Sequence, residues 1–302
     1  MSAITQVPEF YKTQFSANWL ALAQQIPSKL MGLVLREDVQ GKDKKINQLG
    51  SRTPQRITGR AQATRISDQT MLARWLSPYP YDDASLFDKW DDELLGDITR
   101  PDSNILSQMV AGFNRAKDGV ILTAAVDPSR TGTDGTGTTP LGSGQQVAVD
   151  FVESGSSVNS GLTIGKLRQA KYLLDVADVE DEDRIIAHSA KQLQDLLKTT
   201  EITSEDYNTV KALVAGKIDT FMGFKFVKVT KDAFPYVSET DIRSAVAFQK
   251  NGIAFTDTGV ITHMDTRSDL SHAAQLRVEG MFGATRMEEV RVVEIFCDES
   301  PA

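Results

Sequence analysis

The sequence predicts an α+β fold. Three observations carry this: an apolar stripe that runs along a helix from Pro101 to Val126, alternating helix and strand signals from Thr163 to Val229, and a C-terminal part made of strand-like runs separated by turns. At 302 residues the chain suits two lobes or one domain with large insertions. With 40% hydrophobic and 25% charged residues it can bury a core without staples, which excludes a disordered chain or a small disulfide scaffold. The single cysteine, Cys297, excludes an internal disulfide and fits a reducing compartment.

Pro8 to Ile26 reads as a helix. Tyr11, Phe15, Trp19, Leu22 and Ile26 recur on one face, Pro8 suits the first turn and Pro27 ends the run. This helix is either ordinary core or an arm that packs on a neighbour. Ser51 to Trp75 is polar and rich in Thr and Arg. It reads as a long two-stranded excursion with no core of its own, which is marginal in water unless it rests on another subunit. The rod from Pro101 to Val126 carries Ile105, Leu106, Met109, Val110, Phe113, Ala116, Val120, Ile121 and Ala124 on its stripe. Asp97 or Thr99 can cap it, Asp127-Pro128 stops it, and at ~1.5 Å per residue it is ~39 Å long.

Ser129 to Gly144, rich in Gly and Thr, reads as a flexible loop, and Glu153 to Gly161 as a second, with a short strand over Val147–Val152 between them. Thr163 caps a helix bearing Ile164, Leu167, Ala170 and Leu174. Arg184–His188 is a strand, Ala190–Lys198 a helix, and Thr203 with Asp206 opens a helix that ends at Gly216. Phe221–Val229 reads as one strand. Shorter runs follow at 245–248, 253–255, 260–263, 273–281 and 290–296, with turns expected at Asn251-Gly252, Asp257 to Gly259 and Gly280.

The net charge of −8 argues against a globally basic nucleic-acid binder. The local pattern is sharper. Lys42, Lys44, Lys45, Arg52, Arg56, Arg60, Arg65 and Arg74 meet only Asp43 and Asp68, which makes 41–75 about +6. Asp82, Asp83, Asp88, Asp91, Asp92, Glu93, Asp97 and Asp102 meet only Lys89 and Arg100, about −6. A third block, Asp175 to Asp183, has six acids and no base. Each run can be a solvated face. Two opposite fields on one chain also suit head-to-tail docking between copies.

Catalytic and ligand motifs do not emerge. Gly132-Thr-Asp-Gly-Thr-Gly137 lacks the Lys of a phosphate-binding loop, and the Gly161 to Lys166 stretch has the wrong spacing. The histidines are His188, His263 and His272, without metal-ligand spacing, and no Gly-x-Ser-x-Gly elbow occurs. The acids of 178–183 lack the pattern of a calcium loop, which leaves at most a loose surface cation site. No catalytic residue, cofactor or metal is nominated. No ~20-residue apolar span or cleaved signal is read, so a soluble chain is expected. The competing reading is an intracellular enzyme on a small polar substrate, with the Gly/Thr loop as a lid and His263 or His272 as a base.

Four stretches then resemble a known family. Pro8-Glu-Phe-Tyr-Lys-Thr-Gln-Phe15, Glu201-Ile-Thr-Ser-Glu-Asp-Tyr-Asn-Thr-Val-Lys-Ala-Leu-Val214, Ile218-Asp-Thr-Phe-Met-Gly-Phe-Lys-Phe226 and Gly283-Ala-Thr-Arg-Met-Glu-Glu-Val-Arg-Val-Val-Glu-Ile295 are similar, in order and spacing, to tailed-phage major capsid proteins of the fold named after phage Hong Kong 97. The resemblance implies a shell-forming protein with an N-terminal arm (1–49), an extended loop (50–81), a peripheral domain (82–162) with its spine helix at 101–126, an axial domain (163–254) and a return to the peripheral domain (255–302). It implies self-assembly into hexamers and pentamers around double-stranded DNA, portal and scaffold or decoration partners, weak non-specific DNA contact and no membrane. A decoration or tube protein is the nearest structural alternative. The inter-subunit contact candidates are Arg52, Arg56, Arg60, Arg65 and Arg74 against Asp88, Asp91, Asp92 and Glu93.

Overall fold

The computed structural model describes residues 25, 27–60, 63–64, 66, 68–87, 102–153, 155, 157–198, 220–237, 241–270 and 272–300. The helix expected over 8–26 (Gln25 aside) and the helix expected after Thr203 lie outside the described residues, as do Arg65, Asp88, Asp91, Asp92 and Glu93.

The chain begins with β1 (Leu35–Arg36), β2 (Lys44–Leu49), β3 (Met71–Leu76) and β4 (Tyr79–Phe87). The rod α1 (Asp102–Val126) follows, then β5 (Ser129–Thr131), β6 (Gly137–Thr139) and β7 (Gln146–Val147). Next come α2 (Ile164–Val176), β8 (Arg184–His188), α3 (Ala190–Lys198), β9 (Thr220–Phe221) and β10 (Phe224–Lys228). The last elements are β11 (Tyr236–Val237), β12 (Ile242–Gln249), β13 (Ile253–Arg267), β14 (Ala273–Arg286) and β15 (Val292–Asp298).

The largest sheet runs β7-β15-β12-β8-β10-β9, with β11 paired to β12. Its central strands are buried on both faces, and alternation sends their side chains to two different cores. Ile185, Ala187, Val246, Phe248 and Val292 pack with Met109, Phe113, Ile121 and Leu122 of α1. Ile186, Ala245, Ala247, Val293 and Ile295 pack with Leu167, Ala170 and Leu174 of α2 and with Leu196 of α3. Each of the larger ones among them, Val, Leu, Ile, Phe or Met, contributes about 1.5–3 kcal/mol when fully buried. β15 and β7 thus share one sheet with β8, β10 and β12, so the boundaries expected at 162 and 254 cut through this sheet.

A second sheet, β1-β13-β14-β4, carries a long hairpin. The runs at 253–255 and 260–263 are one strand. The turn expected at Asp257–Gly259 is a β-bulge between Asp257 and Val260, with Gly259 at φ +89°. Buried Lys117 of α1 pairs with Asp257 at 2.7 Å across this bulge. The third sheet, β2-β3-β5-β6, corrects two expectations. The Gly/Thr stretch is not a loose loop but the hairpin β5–β6 and a short 3-10 turn at Ser143–Gln145. The basic excursion pairs from Lys44↔Leu76 to Leu49↔Met71, so one strand of it, Lys44–Leu49, precedes the expected start at Ser51. Two smaller corrections concern local turns. Met222 (φ 53°) and Gly223 (φ 84°) fold 220–228 into a hairpin where one strand was expected, and the strand expected over 147–152 is only Gln146–Val147.

Buried charges tie the C-terminal half of α1 to the rest of the fold. The Asp118 carboxylate accepts from Ser28 Oγ at 2.6 Å and from the Leu30 amide at 3.1 Å, which anchors the incoming chain. Arg286, fully buried, donates to the carbonyls of Ala125 and Asp127, both at 2.8 Å. A guanidinium there satisfies orphan carbonyls at the negative end of the helix dipole.

Candidate inter-subunit surfaces

The β2–β3 hairpin is the base of the basic excursion. Gly50 N–H donates to Thr70 O at 2.9 Å and Gln69 Nε2 to Gly50 O at 2.7 Å, which closes the stem. Beyond it, residues 51–60 form neither helix nor strand and every one of them is exposed. Arg52, Arg56 and Arg60 therefore face outward. Arg56 and Arg60 make no ion pair among the described residues. The stem also presents apolar side chains to solvent: Leu49, Met71 and Leu72 are 72%, 73% and 53% exposed. They line a groove of about 1050 Å³ with Lys45, Thr133 and Glu289.

Arg74 corrects the list of contact candidates. It lies at the inner side of β3, where it is buried. Its Nη2 reaches both Glu289 oxygens at 2.7 and 2.8 Å, and its Nε donates to Met287 O at 2.7 Å. Sequence parity could have found this, since Arg74 and Leu76 share a face of β3 and Leu76 is fully buried. Other members of the basic block are also held by their own chain. Lys44 pairs with Glu37 at 2.8 Å, and Lys45 Nζ lies 5.9 Å from the centre of the Trp75 ring. Asp43 accepts from Ser77 and Arg130, and these hydrogen bonds, the Ser77 one first, hold its carboxyl below the usual range.

Of the first acidic block, Asp102 opens α1, and Asp82 and Asp83 are exposed on β4. Asp82 meets Arg277 at 3.3 Å. The third block is partly neutralised at home: Arg184, nearly buried, reaches Asp175 at 2.5 Å and Asp181 at 3.1 Å, and Arg291 pairs with Glu180. The histidines are dispersed. His188 is buried with its ring nitrogen 2.9 Å from Ser189 O, and burial pushes its pKa down. His263 meets Glu279 at 3.1 Å on the outer hairpin, while His272 occupies a turn at φ 59°. Among the described residues, no group of three or more His, Cys, Asp or Glu could hold a metal ion, and no helix is long and apolar enough to cross a membrane. The Gly/Thr turn that the enzyme reading needs as a lid is packed on Trp75, whose Nε1 donates to Gly132 O at 2.8 Å.

One buried cation escaped the sequence. Lys166, expected only as a poor phosphate ligand, is fully buried, and its ammonium lies 2.7–3.0 Å from the carbonyl oxygens of Val149, Ser160, Gly161 and Phe296, two of which share one of its three N–H groups. A lysine next to a helix cap gives no signal of this kind in sequence.

The family model described as "Phage capsid protein" matches residues 7–299. No curated protein sequence matches. Solved structures do. The capsid of Ralstonia phage GP4 is 10% identical, covers 100% of both chains and superposes with a TM-score of 0.71. The capsid asymmetric unit of cyanophage Pam1 is 11% identical with the same coverage and TM-score. The capsid of cyanophage P-SCSP1u is 14% identical over 96% of this chain and 94% of its own, with a TM-score of 0.69. At these identities the likeness is one of fold: α+β and Hong Kong 97-like, as the sequence predicts.

Proposed function

Because the chain belongs to the phage capsid protein family, we propose that residues 50–81 bind it to an adjacent copy in the shell. Its role is structural: it is a major capsid protein of a bacteriophage virion and associates with itself in the shell lattice. The finer assignment rests on one observation. Residues 51–60 project from a closed stem, carry Arg52, Arg56 and Arg60, and lie exposed along their whole length. An exposed charged ribbon without a core gains little from its own fold.

The ribbon crosses the neighbouring subunit and meets its acids, Asp83 together with Asp88, Asp91, Asp92 or Glu93. One exposed pair is worth about 0–1 kcal/mol. Repeated around closed rings and across a lattice, such shallow contacts close a shell while each stays reversible during assembly. In this reading 1–49 is an arm, α1 the spine of a peripheral domain and 163–254 the bulk of an axial domain, whose sheet also takes in β7 and β15. Hexamers and pentamers form in the host cytoplasm and enclose double-stranded DNA. A portal, and a scaffold or decoration protein, are the other partners. The chain's net charge of −8 keeps its DNA contacts weak and non-specific.

Electron microscopy of the expressed protein tests this. Shells are expected from the natural sequence, and folded unassembled subunits from Arg56→Glu/Arg60→Glu. Normal shells from the double variant would reject the ribbon's role.

A further inference from the structure

Among the described residues, two parts of this molecule have backbone groups without a hydrogen-bond partner. β4 ends its sheet: β14 pairs one edge, and among the described residues nothing pairs the other. Tyr79 to Ala84 are exposed one after another, on both faces of the strand. Pro80 sits near its start, where an edge strand tolerates a missing N–H. The second part is the ribbon. Apart from Arg52 and Gln55, residues 51–60 make no hydrogen bond among the described residues. A long open edge is a template for another chain unless something covers it. The lengths agree: ten residues at ~3.3 Å span ~33 Å, against ~30 Å for the nine of β4.

We propose that residues 51–60 of one copy add as a strand to the free edge of β4 on the next copy. This rests on the ribbon's role argued above and specifies its docking surface. Sequence parity fixes the details. In a strand, alternate residues present their N–H and C=O to opposite edges. Pro54 has no N–H, so the edge it shares with Arg52 and Arg56 points away. Ser51, Thr53, Gln55, Ile57 and Gly59 form the ladder.

Arg52, Arg56 and Arg60, spaced by four, fall on one face of that strand. On β4, Asp82 is already paired with Arg277, whereas Asp83 lies on the opposite face with Tyr79 and Tyr81, opposite Val278. The arginines meet Asp83 and the two tyrosine rings, where a groove of about 490 Å³ runs between β4 and α1. Ile57, 79% exposed in its own subunit, then falls on the other face, the one that carries Pro80, Asp82 and exposed Leu86 of β4.

A matched pair of substitutions tests the parity. Thr53→Pro removes an N–H from the ladder, while Thr58→Pro removes one that points away. Both are made in the full chain, and shells are counted by light scattering and microscopy. The expected result is at least a ten-fold loss of shells for Thr53→Pro and less than a two-fold loss for Thr58→Pro. Equal effects, whether both assemble or both fail, overturn strand addition. If Arg56→Glu/Arg60→Glu blocks assembly while both proline variants assemble, the charged ribbon stands and the ladder falls. Amide exchange across Asp82–Leu86 should also slow at least ten-fold from isolated subunits to shells, and unchanged exchange there counts against the ladder.

Discussion

The ammonium of Lys166 lies 2.9 Å from the carbonyl oxygen of Phe296, 130 residues further along the chain. The same nitrogen holds the carbonyls of Val149, Ser160 and Gly161, so one cation fixes both ends of the 149–161 segment onto β15 and α2. Thr163 accepts from the Lys166 amide at 3.3 Å and starts α2 at the position that aims this side chain inward. Burial lowers the pKa of Lys166, and the carbonyl cage compensates the desolvated charge.

Lys166→Met keeps the apolar stem and removes the donors. Up to four buried carbonyls then lose a charged partner, and the subunit should lose about 3 kcal/mol. Urea unfolding measures it. A loss below about 1 kcal/mol would mean that water takes over the cage.

Arg74 and Arg56 should separate stability from assembly. Arg74→Met takes the bidentate partner from Glu289, which keeps Arg286 at 3.8 Å, and leaves the Met287 carbonyl with Gln48 at 3.1 Å, so subunit stability should fall by about 2 kcal/mol. Arg56→Glu is exposed and should change subunit stability by less than about 0.5 kcal/mol while impairing assembly. Denaturation midpoints and shell yields, measured on both variants, check the contrast. Equal stability losses would contradict the placement of Arg74.

His188 predicts an acid-sensitive fold. Burial holds its folded pKa below the ordinary 6.5, so below that pH the unfolded chain binds a proton that the folded one refuses. Stability is therefore lost as pH falls from 6.5 towards the folded value, by up to about 1.4 kcal/mol per unit. His188→Gln should flatten this part of the curve, read from unfolding midpoints between pH 7 and pH 5 (about two units). An unchanged slope would exclude His188 as its source.

Gly283 marks a close crossing of β14 and the β3–β4 connection. A Cβ there would sit 2.3 Å from the Ser77 carbonyl oxygen and 2.9 Å from Pro78 Cα, both backbone atoms. Gly283→Ala should cost about 1–3 kcal/mol through backbone displacement. Thermal unfolding measures it, and a neutral effect would show that the strands separate easily.

Cys297 should be inert in the folded chain. Burial pushes its thiol up to about 12, which leaves about one thiolate in 10⁵ at neutral pH. Maleimide labelling should follow global unfolding, and rapid labelling of native subunits would contradict that burial.

Sequence alone determined the elements whose signal is local. The stripe on α1, the Thr163 cap of α2, β8 and α3 are all periodicity or capping, and the structure places them within a residue or two of expectation. The exposed basic ribbon was legible for the same reason, because charge and the lack of large apolar residues are properties of a short window. Tertiary structure decided what depends on distant partners. It alone joined 253–267 through a bulge, put β15 between β7 and β12, and drew Arg74 to Glu289 and Lys166 to four carbonyls. A strand's neighbours and a buried charge's ligands lie tens to hundreds of residues away. No local pattern encodes that choice, because it is made by the packing of the whole core.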